Sequence, residues 1–213
     1  MKSGFYRVFH GSLRKPFLWL LRVRVHGAEN EPSEQDGPYI ICGNHTVFSD
    51  PIFLCAATTK QQPHFMAKKE LFKIPVLNWL ISGLGAFPVD RTGGDVSAIK
   101  RSIAMLKEGK CVGIFPQGHR NVGVDPRQTE IHHGLGMIAS RTQATVLPCY
   151  LCMKDYQYKL FRRLDIIIGK PMPYSEYTAG LTGTAEYMAI TEKVFDRICT
   201  LGEDFRKQEG YDA

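Results

Sequence analysis

Six short apolar runs divide the chain, and the segments between them carry helical spacing. The runs are Tyr39–Cys42, His64–Ala67, Ala86–Val89, Cys111–Phe115, Thr145–Cys149 and Leu164–Ile168. Val96, Ile99, Ile103 and Leu106 recur every three or four residues, with Asp95 as N-cap and Gly109 as stop. Leu135–Arg141 and the long amphipathic stretch Thr184–Phe205 read as two further helices. Strands alternating with helices predict an α/β fold, a mixed and mostly parallel central sheet flanked by helices. There is no internal repeat and no low-complexity segment. At 213 residues the chain suits one domain, or one domain with an appendage. Its strictly apolar stretches, such as Pro16–Leu21, fall far short of the ~18–20 residues of a membrane span. The N-terminus also lacks the apolar core and small-residue cleavage site of a signal peptide.

Charge divides the chain more sharply. Lys and Arg total 27 against 21 Asp and Glu, a net charge of +6. Lys2, Arg7, Arg14, Lys15, Arg22 and Arg24 all precede the first acid, Glu29, and equal the whole excess. Phe5, Tyr6, Phe9, Phe17, Leu18, Trp19 and Leu20 are interleaved with them. Cations among large apolar groups suit a helical segment lying in a lipid interface. They suit nucleic acid less, because phosphate-backbone binding needs little apolar surface. The alternative is a first helix packed on the core with a solvated basic edge. The expected division is residues 1–28 as a basic amphipathic membrane-surface segment and 29–213 as the α/β domain, joined by a polar loop over 29–38. Leu71–Ile81 is apolar nearly all round, so it is expected to be either buried or in contact with lipid, with Lys68 and Lys69 beside it.

In an open α/β sheet, ligands bind beyond the carboxyl ends of the strands. The Tyr39–Cys42 run leads into Asn44-His45-Thr46-Val47-Phe48-Ser49-Asp50-Pro51. Asp50-Pro51 has the form of an N-cap followed by a first helical residue. A loop that doubles back can bring Asp50 to one imidazole nitrogen of His45, leaving the other as a general base. The bland reading is a loop histidine beside a capping aspartate. The next strands lead into Arg91, in a glycine-rich turn, and into Pro116-Gln117-Gly118-His119-Arg120. The planar guanidinium fork suits phosphate. A His/Asp pair and two arginines therefore suggest proton abstraction next to a bound phosphate.

Four ordered blocks resemble those of the glycerolipid acyltransferases: residues 44–50; 85–91, preceded by Lys68-Lys69-Glu70-Leu71; 115–120; and Val146-Leu147-Pro148. The resemblance extends over roughly residues 15 to 175 and is strongest to the bacterial lysophosphatidate acyltransferases. It implies a glycerol-3-phosphate acyltransferase-like fold. It also implies acyl transfer from acyl-CoA or acyl-carrier protein to the free sn-2 hydroxyl of lysophosphatidate, giving phosphatidate. On that resemblance His45 and Asp50 are catalytic, and Arg91, Arg120 and Gly118 hold the substrate phosphate. Asn44, Gln117, His119 and Pro148 support the site, Pro148 near the acyl-chain pocket. No metal and no cofactor are implied, and a thioester donor belongs with the cytoplasmic membrane face. The family usually carries Glu and Thr where this chain has Gln117 and His119. Gln117 cannot ionise, which leaves the arginines freer for a phosphate dianion or changes the acceptor to another lysolipid. His119 is expected to replace the threonine as a hydrogen-bonding group, and its spacing to His132 and His133 favours no metal site. A catalytically silent scaffold protein is the reading from another class; such a protein could lose His45 or Asp50, and both are present. The six cysteines sit mostly inside apolar runs as buried thiols, and the single Cys149-Tyr-Leu-Cys152 pair makes zinc improbable.

Overall fold

The computed structural model describes residues 3–89 and 96–211. The chain opens with helix α1 (Gly4–Val8), a wider π-helical turn over Phe9–Leu13, and α2 (Arg14–Leu20). The core follows as β1 (Val23–His26), β2 (Tyr39–Gly43), α3 (Asp50–Ala57), β3 (Pro63–Lys68), α4 (Pro75–Gly83) and β4 (Phe87–Val89). It continues with α5 (Val96–Lys107), β5 (Cys111–Ile114), α6 (Gly134–Thr142), β6 (Thr145–Met153) and β7 (Leu164–Ile168). The single turn α7 (Tyr174–Tyr177) and the long α8 (Gly183–Glu209) complete it. The strands form one sheet in the order β1-β7-β6-β2-β5-β3-β4. Every pairing is parallel except β6 with β7. The expected mixed, mostly parallel sheet is what the chain forms.

Both faces of the sheet are covered, so its central strands are apolar throughout rather than alternating. All five residues of β2 are buried. Ile40 and Cys42 face the layer containing α5, α6 and α8, while Tyr39 and Ile41 face α3 and the N-terminal helices. Cys149 and Cys152 fall on opposite faces of β6, which separates the CxxC thiols; all six cysteines are free and buried.

Several expectations need correction. Val23–His26, expected within the basic segment, is an edge strand of the sheet. Its alternating Val-Arg-Val-His pattern was masked by the surrounding cations. The segment before it packs on the core through one face: Tyr6 and Phe9 are buried, and Arg14 Nε donates to the Ala56 carbonyl at 2.6 Å. A cation on the last carbonyls of α3 is favourable for the helix end. The opposite face leaves Val8, Leu13, Trp19 and Leu20 exposed. Ser49, not Asp50, flanks the start of α3, and it makes no capping hydrogen bond. Residues 71–81 are not one helix, because Pro75 cannot donate and begins α4 after a separate 3-10 turn, Lys69–Lys73. The strand from Thr145 runs on to Met153, since β7 pairs with that extension. Within the expected loop 29–38, Glu31 is buried and accepts from the backbone N–H groups of Thr59, Lys60 and Gln61 and from the Tyr39 hydroxyl. Asp95, the expected cap of α5, lies outside the described residues. No helix among the described residues is long and apolar enough to cross a membrane.

Asp165 ties β7 to its surroundings. Its carboxylate meets His26 Nε2 at 2.7 Å, Arg163 Nε at 2.5 Å and the Tyr211 hydroxyl at 2.5 Å. Burial works to raise its pKa, but Arg163, Tyr211 and His26 together hold it below the ordinary 3.8. A depressed carboxylate stabilises the fold above its unfolded pKa and loses that contribution as pH falls through the folded value. Asp165→Asn is expected to lower stability by roughly 1–3 kcal/mol near neutral pH. Denaturant unfolding at several pH values should show that gap narrowing below pH ~4.

Candidate active site

The carboxyl ends of β2, β3 and β5 meet around a cavity of about 460 Å³. His45 reaches it from the loop after β2. Its Nδ1 lies 2.8 Å from Asp50 Oδ2, and that same oxygen accepts from the Thr46 N–H at 2.6 Å and the Val47 N–H at 2.8 Å. Three donors on one oxygen fold the loop back on itself, so two residues five apart in sequence come into contact. Asp50 is fully buried, and its Oδ1 has no hydrogen-bond partner among the described residues. Burial pushes its carboxyl up from the ordinary value, against the pull of His45, Val47 and Thr46. Because Asp50 occupies Nδ1, Nε2 is the His45 nitrogen left for the cavity that the residue lines. Phe115 stacks on the imidazole, with centroids 4.3 Å apart and planes 16° apart, which fixes the ring plane.

The loop after β5 supplies the second wall. Gln117 is buried; its Oε1 accepts from the His45 N–H at 2.6 Å, and its amide donates to Thr129 Oγ1 at 2.7 Å. This neutral side chain therefore joins two loops. Thr129, which closes that link, was not singled out from the sequence, because nothing local marks it. Gly118 has φ +68°, and a Cβ there would stand 2.6 Å from the His132 ring. Both the backbone and the neighbouring imidazole thus require glycine. His119 and Arg120 are exposed and line the cavity beside His45 and Lys68. The His119 ring stands 6.3 Å from that of His132. Among the described residues no three His, Cys, Asp or Glu side chains form a group able to hold a metal ion.

Asn44 is buried and brackets Leu151, donating to its carbonyl at 3.2 Å and accepting from its N–H at 2.8 Å. It anchors the His45 loop to β6 rather than facing the cavity. Pro148 pairs with Cys42 inside the sheet and does not line the cavity. Arg91 lies outside the described residues. The remaining wall is apolar and includes Phe65, Met66, Leu71 and Ile81; a small cleft continues it to Cys55 and Leu84. Sequence reasoning missed this wall because its residues come from four separate elements.

The family model for the acyltransferase domain matches residues 22–152. The chain belongs to the acyltransferase family. The 1-acyl-sn-glycerol-3-phosphate acyltransferase of Bacillus subtilis is 33% identical over 178 residues, covering 83% of this chain and 86% of that one. The enzyme of the same name from Streptococcus pneumoniae is 32% identical over 178 residues, covering 80% of this chain and 65% of that one. The crystal structure of the 1-acyl-sn-glycerophosphate acyltransferase PlsC from Thermotoga maritima has the same fold. It matches with a TM-score of 0.69 at 23% identity, covering 94% of this chain and 79% of that one. An imidazole held at one nitrogen beside a cavity lined by cations and apolar side chains is an arrangement that acyl transfer can use.

Asp50→Asn keeps the size of the side chain but removes the charge that holds Nδ1–H. Turnover is expected to fall roughly 10²–10⁴-fold, measured as kcat in folded protein. Because burial raises the Asp50 carboxyl, loss of its charge is expected to contribute to the acid limb of the pH–rate profile at a higher pH than an exposed aspartate would, measured as kcat against pH.

Proposed function

We propose that this acyltransferase moves a fatty acyl group from a thioester, acyl-CoA or acyl-carrier protein, to the sn-2 hydroxyl of lysophosphatidate, giving phosphatidate. The observation that carries this reading is the His45–Asp50 contact at the wall of a cavity lined by cations that suit a phosphate and by apolar side chains that suit a hydrocarbon chain. The names of the relatives support the acceptor.

In this reading His45 Nε2 takes the hydroxyl proton as the acceptor oxygen attacks the thioester carbonyl. Asp50 stabilises the imidazolium that forms. The tetrahedral intermediate collapses, the carbon–sulfur bond breaks, and the proton on His45 passes to the departing thiolate. The ester oxygen keeps the acyl group, so no acyl-enzyme intervenes. Arg120, together with Arg91, holds the acceptor phosphate, and Gly118 allows the backbone to come close to it. The apolar wall takes a hydrocarbon chain. Neither a metal nor a cofactor enters this sequence of steps.

Both the acceptor and the product are amphiphiles and the donor is an intracellular thioester, so in this reading the enzyme works at the cytoplasmic face of a membrane as a peripheral protein. Exposed Val8 and Leu13 on the N-terminal segment, and Val76 and Trp79 on α4, support that setting. The other side of α4 contributes Ile81 to the cavity wall, which joins the apolar surface to the site.

Thiol release from a long-chain acyl-CoA, or from acyl-carrier protein, is expected only when lysophosphatidate is present. His45→Ala should reduce it roughly 10²-fold or more. Retained turnover in His45→Ala with loss in His119→Ala would reassign the base. A folded protein that releases thiol only with a different lysolipid would move the acceptor and keep the chemistry.

A further inference from the structure

His45 is held at its backbone as well as at its ring, and both backbone contacts come from one loop. That loop runs from Pro116 to His132, and the His132 N–H closes it on the Pro116 carbonyl at 2.7 Å. The Gln117 amide oxygen accepts from the His45 N–H at 2.6 Å, and the Asn121 N–H donates to the His45 carbonyl at 2.9 Å. Asp50 fixes Nδ1 and Phe115 fixes the ring plane. What those two contacts leave free is a shift of the main chain that carries the imidazole, and Gln117 opposes it.

Gln117 is itself held at its other end. Its Nε2 donates to Thr129 Oγ1 at 2.7 Å, and the Thr129 hydroxyl donates to the Pro126 carbonyl, also at 2.7 Å. The direction of each bond is forced. A backbone N–H can only donate, so the oxygen of the Gln117 amide must face His45 and its nitrogen must face Thr129. Thr129 Oγ1 then accepts from Gln117 and gives its own proton to Pro126. Gln117 is 1% exposed and Pro126 is buried, so breaking the relay strands a polar group away from water.

The rest of the loop is braced differently. Asp125 accepts from the Tyr156 hydroxyl at 3.2 Å, while Arg127 pairs with Glu203 at 2.8 Å and with Asp196, both on α8. The Arg127 pairs are open to solvent, where such contacts contribute little. The relay from Pro126 through Thr129 and Gln117 to His45 does not pass through Arg127. One loop thus carries an outer brace to the helix layer and an inner relay to His45.

We propose that Thr129 is a positioning residue for His45, acting through the Gln117 amide on the main chain of the His45 loop. Its hydroxyl sets the orientation of that amide, and the amide sets how far Nε2 is presented to the cavity. The proposal rests on the acyl-transfer reading of the His45 site, but half of its test needs no turnover.

Two readings are taken on the full chain. One is thiol release from acyl-CoA with lysophosphatidate; the other is hydrogen exchange at the His45 amide without substrate, followed by NMR. Thr129→Val replaces the hydroxyl by a methyl group of similar size. It is expected to lower kcat roughly tenfold, to leave KM within about twofold and to speed His45 exchange roughly tenfold. Thr129→Ser keeps the hydroxyl and should hold both readings within about twofold of the unaltered chain. Thr129→Ala carries the comparison if the valine variant fails to fold. Arg127→Gln loosens the same loop from α8 and should change neither reading by more than about twofold. Gln117→Leu should lower kcat at least as much as Thr129→Val, and combining the two should lower it no further. Equal losses in Thr129→Val and Arg127→Gln would reduce the relay to general loop stability and overturn the proposal. Unchanged kcat and unchanged His45 exchange in folded Thr129→Val would overturn it outright. A rise in KM alone would move Thr129 to substrate binding and overturn it as well. If the unaltered chain releases no thiol, the acyl-transfer reading fails, and His45 exchange still decides whether Thr129 holds that residue.

Discussion

One buried oxygen organises the end of the sheet that carries the candidate site. Asp50 Oδ2 takes hydrogen bonds from the His45 imidazole and from the backbone of Thr46 and Val47. A carboxylate this deeply buried is costly unless donors surround it. The loop after β2 supplies them by curling around the start of α3. The same contacts that make the burial tolerable set the position of His45. Gln117 then holds the His45 backbone from the other side, and Phe115 covers the ring face. The imidazole is thus restrained through its Nδ1, its backbone and its plane.

The other end of α3 is held just as firmly. Arg14 and His10 reach the carbonyls of Ala56 and Cys55, and the Tyr6 hydroxyl lies within hydrogen-bonding distance of the carbonyls of Cys55, Thr58 and Gln61. The N-terminal segment is therefore both a packing layer and an exposed apolar surface. Its inward aromatic groups cover the sheet below α3, and its outward ones remain in contact with solvent. Of the two readings of the basic segment, the packed helix describes its inward side, while its outward side leaves Val8, Leu13, Trp19 and Leu20 exposed.

Much of the fold is legible in the sequence, because apolar runs of strand length can be buried on both faces only in a covered sheet. All six expected strands form within a few residues of their expected limits. The missing one, Val23–His26, has a two-residue alternation too short to stand out among arginines, and it becomes a strand only because β7 presents a free edge. The His45–Asp50 contact is likewise legible, since a short loop closing on a helix start brings residues five apart together. Gln117 appears as a departure from the family pattern. Its use as a neutral link between His45 and Thr129 depends on a residue twelve positions away, which no local pattern indicates.

The alternation of strands and helices, the chemical types gathered at the strand ends and the excess of cations before Glu29 are all readable along the chain. These depend on periodicity and composition, which are properties of neighbouring residues. The three-dimensional packing alone places Asn44 and Pro148 in the framework and Lys68 and Ile81 at the cavity. Each of these depends on which of several possible partners reaches a group first, and strand order and crossover direction set that competition.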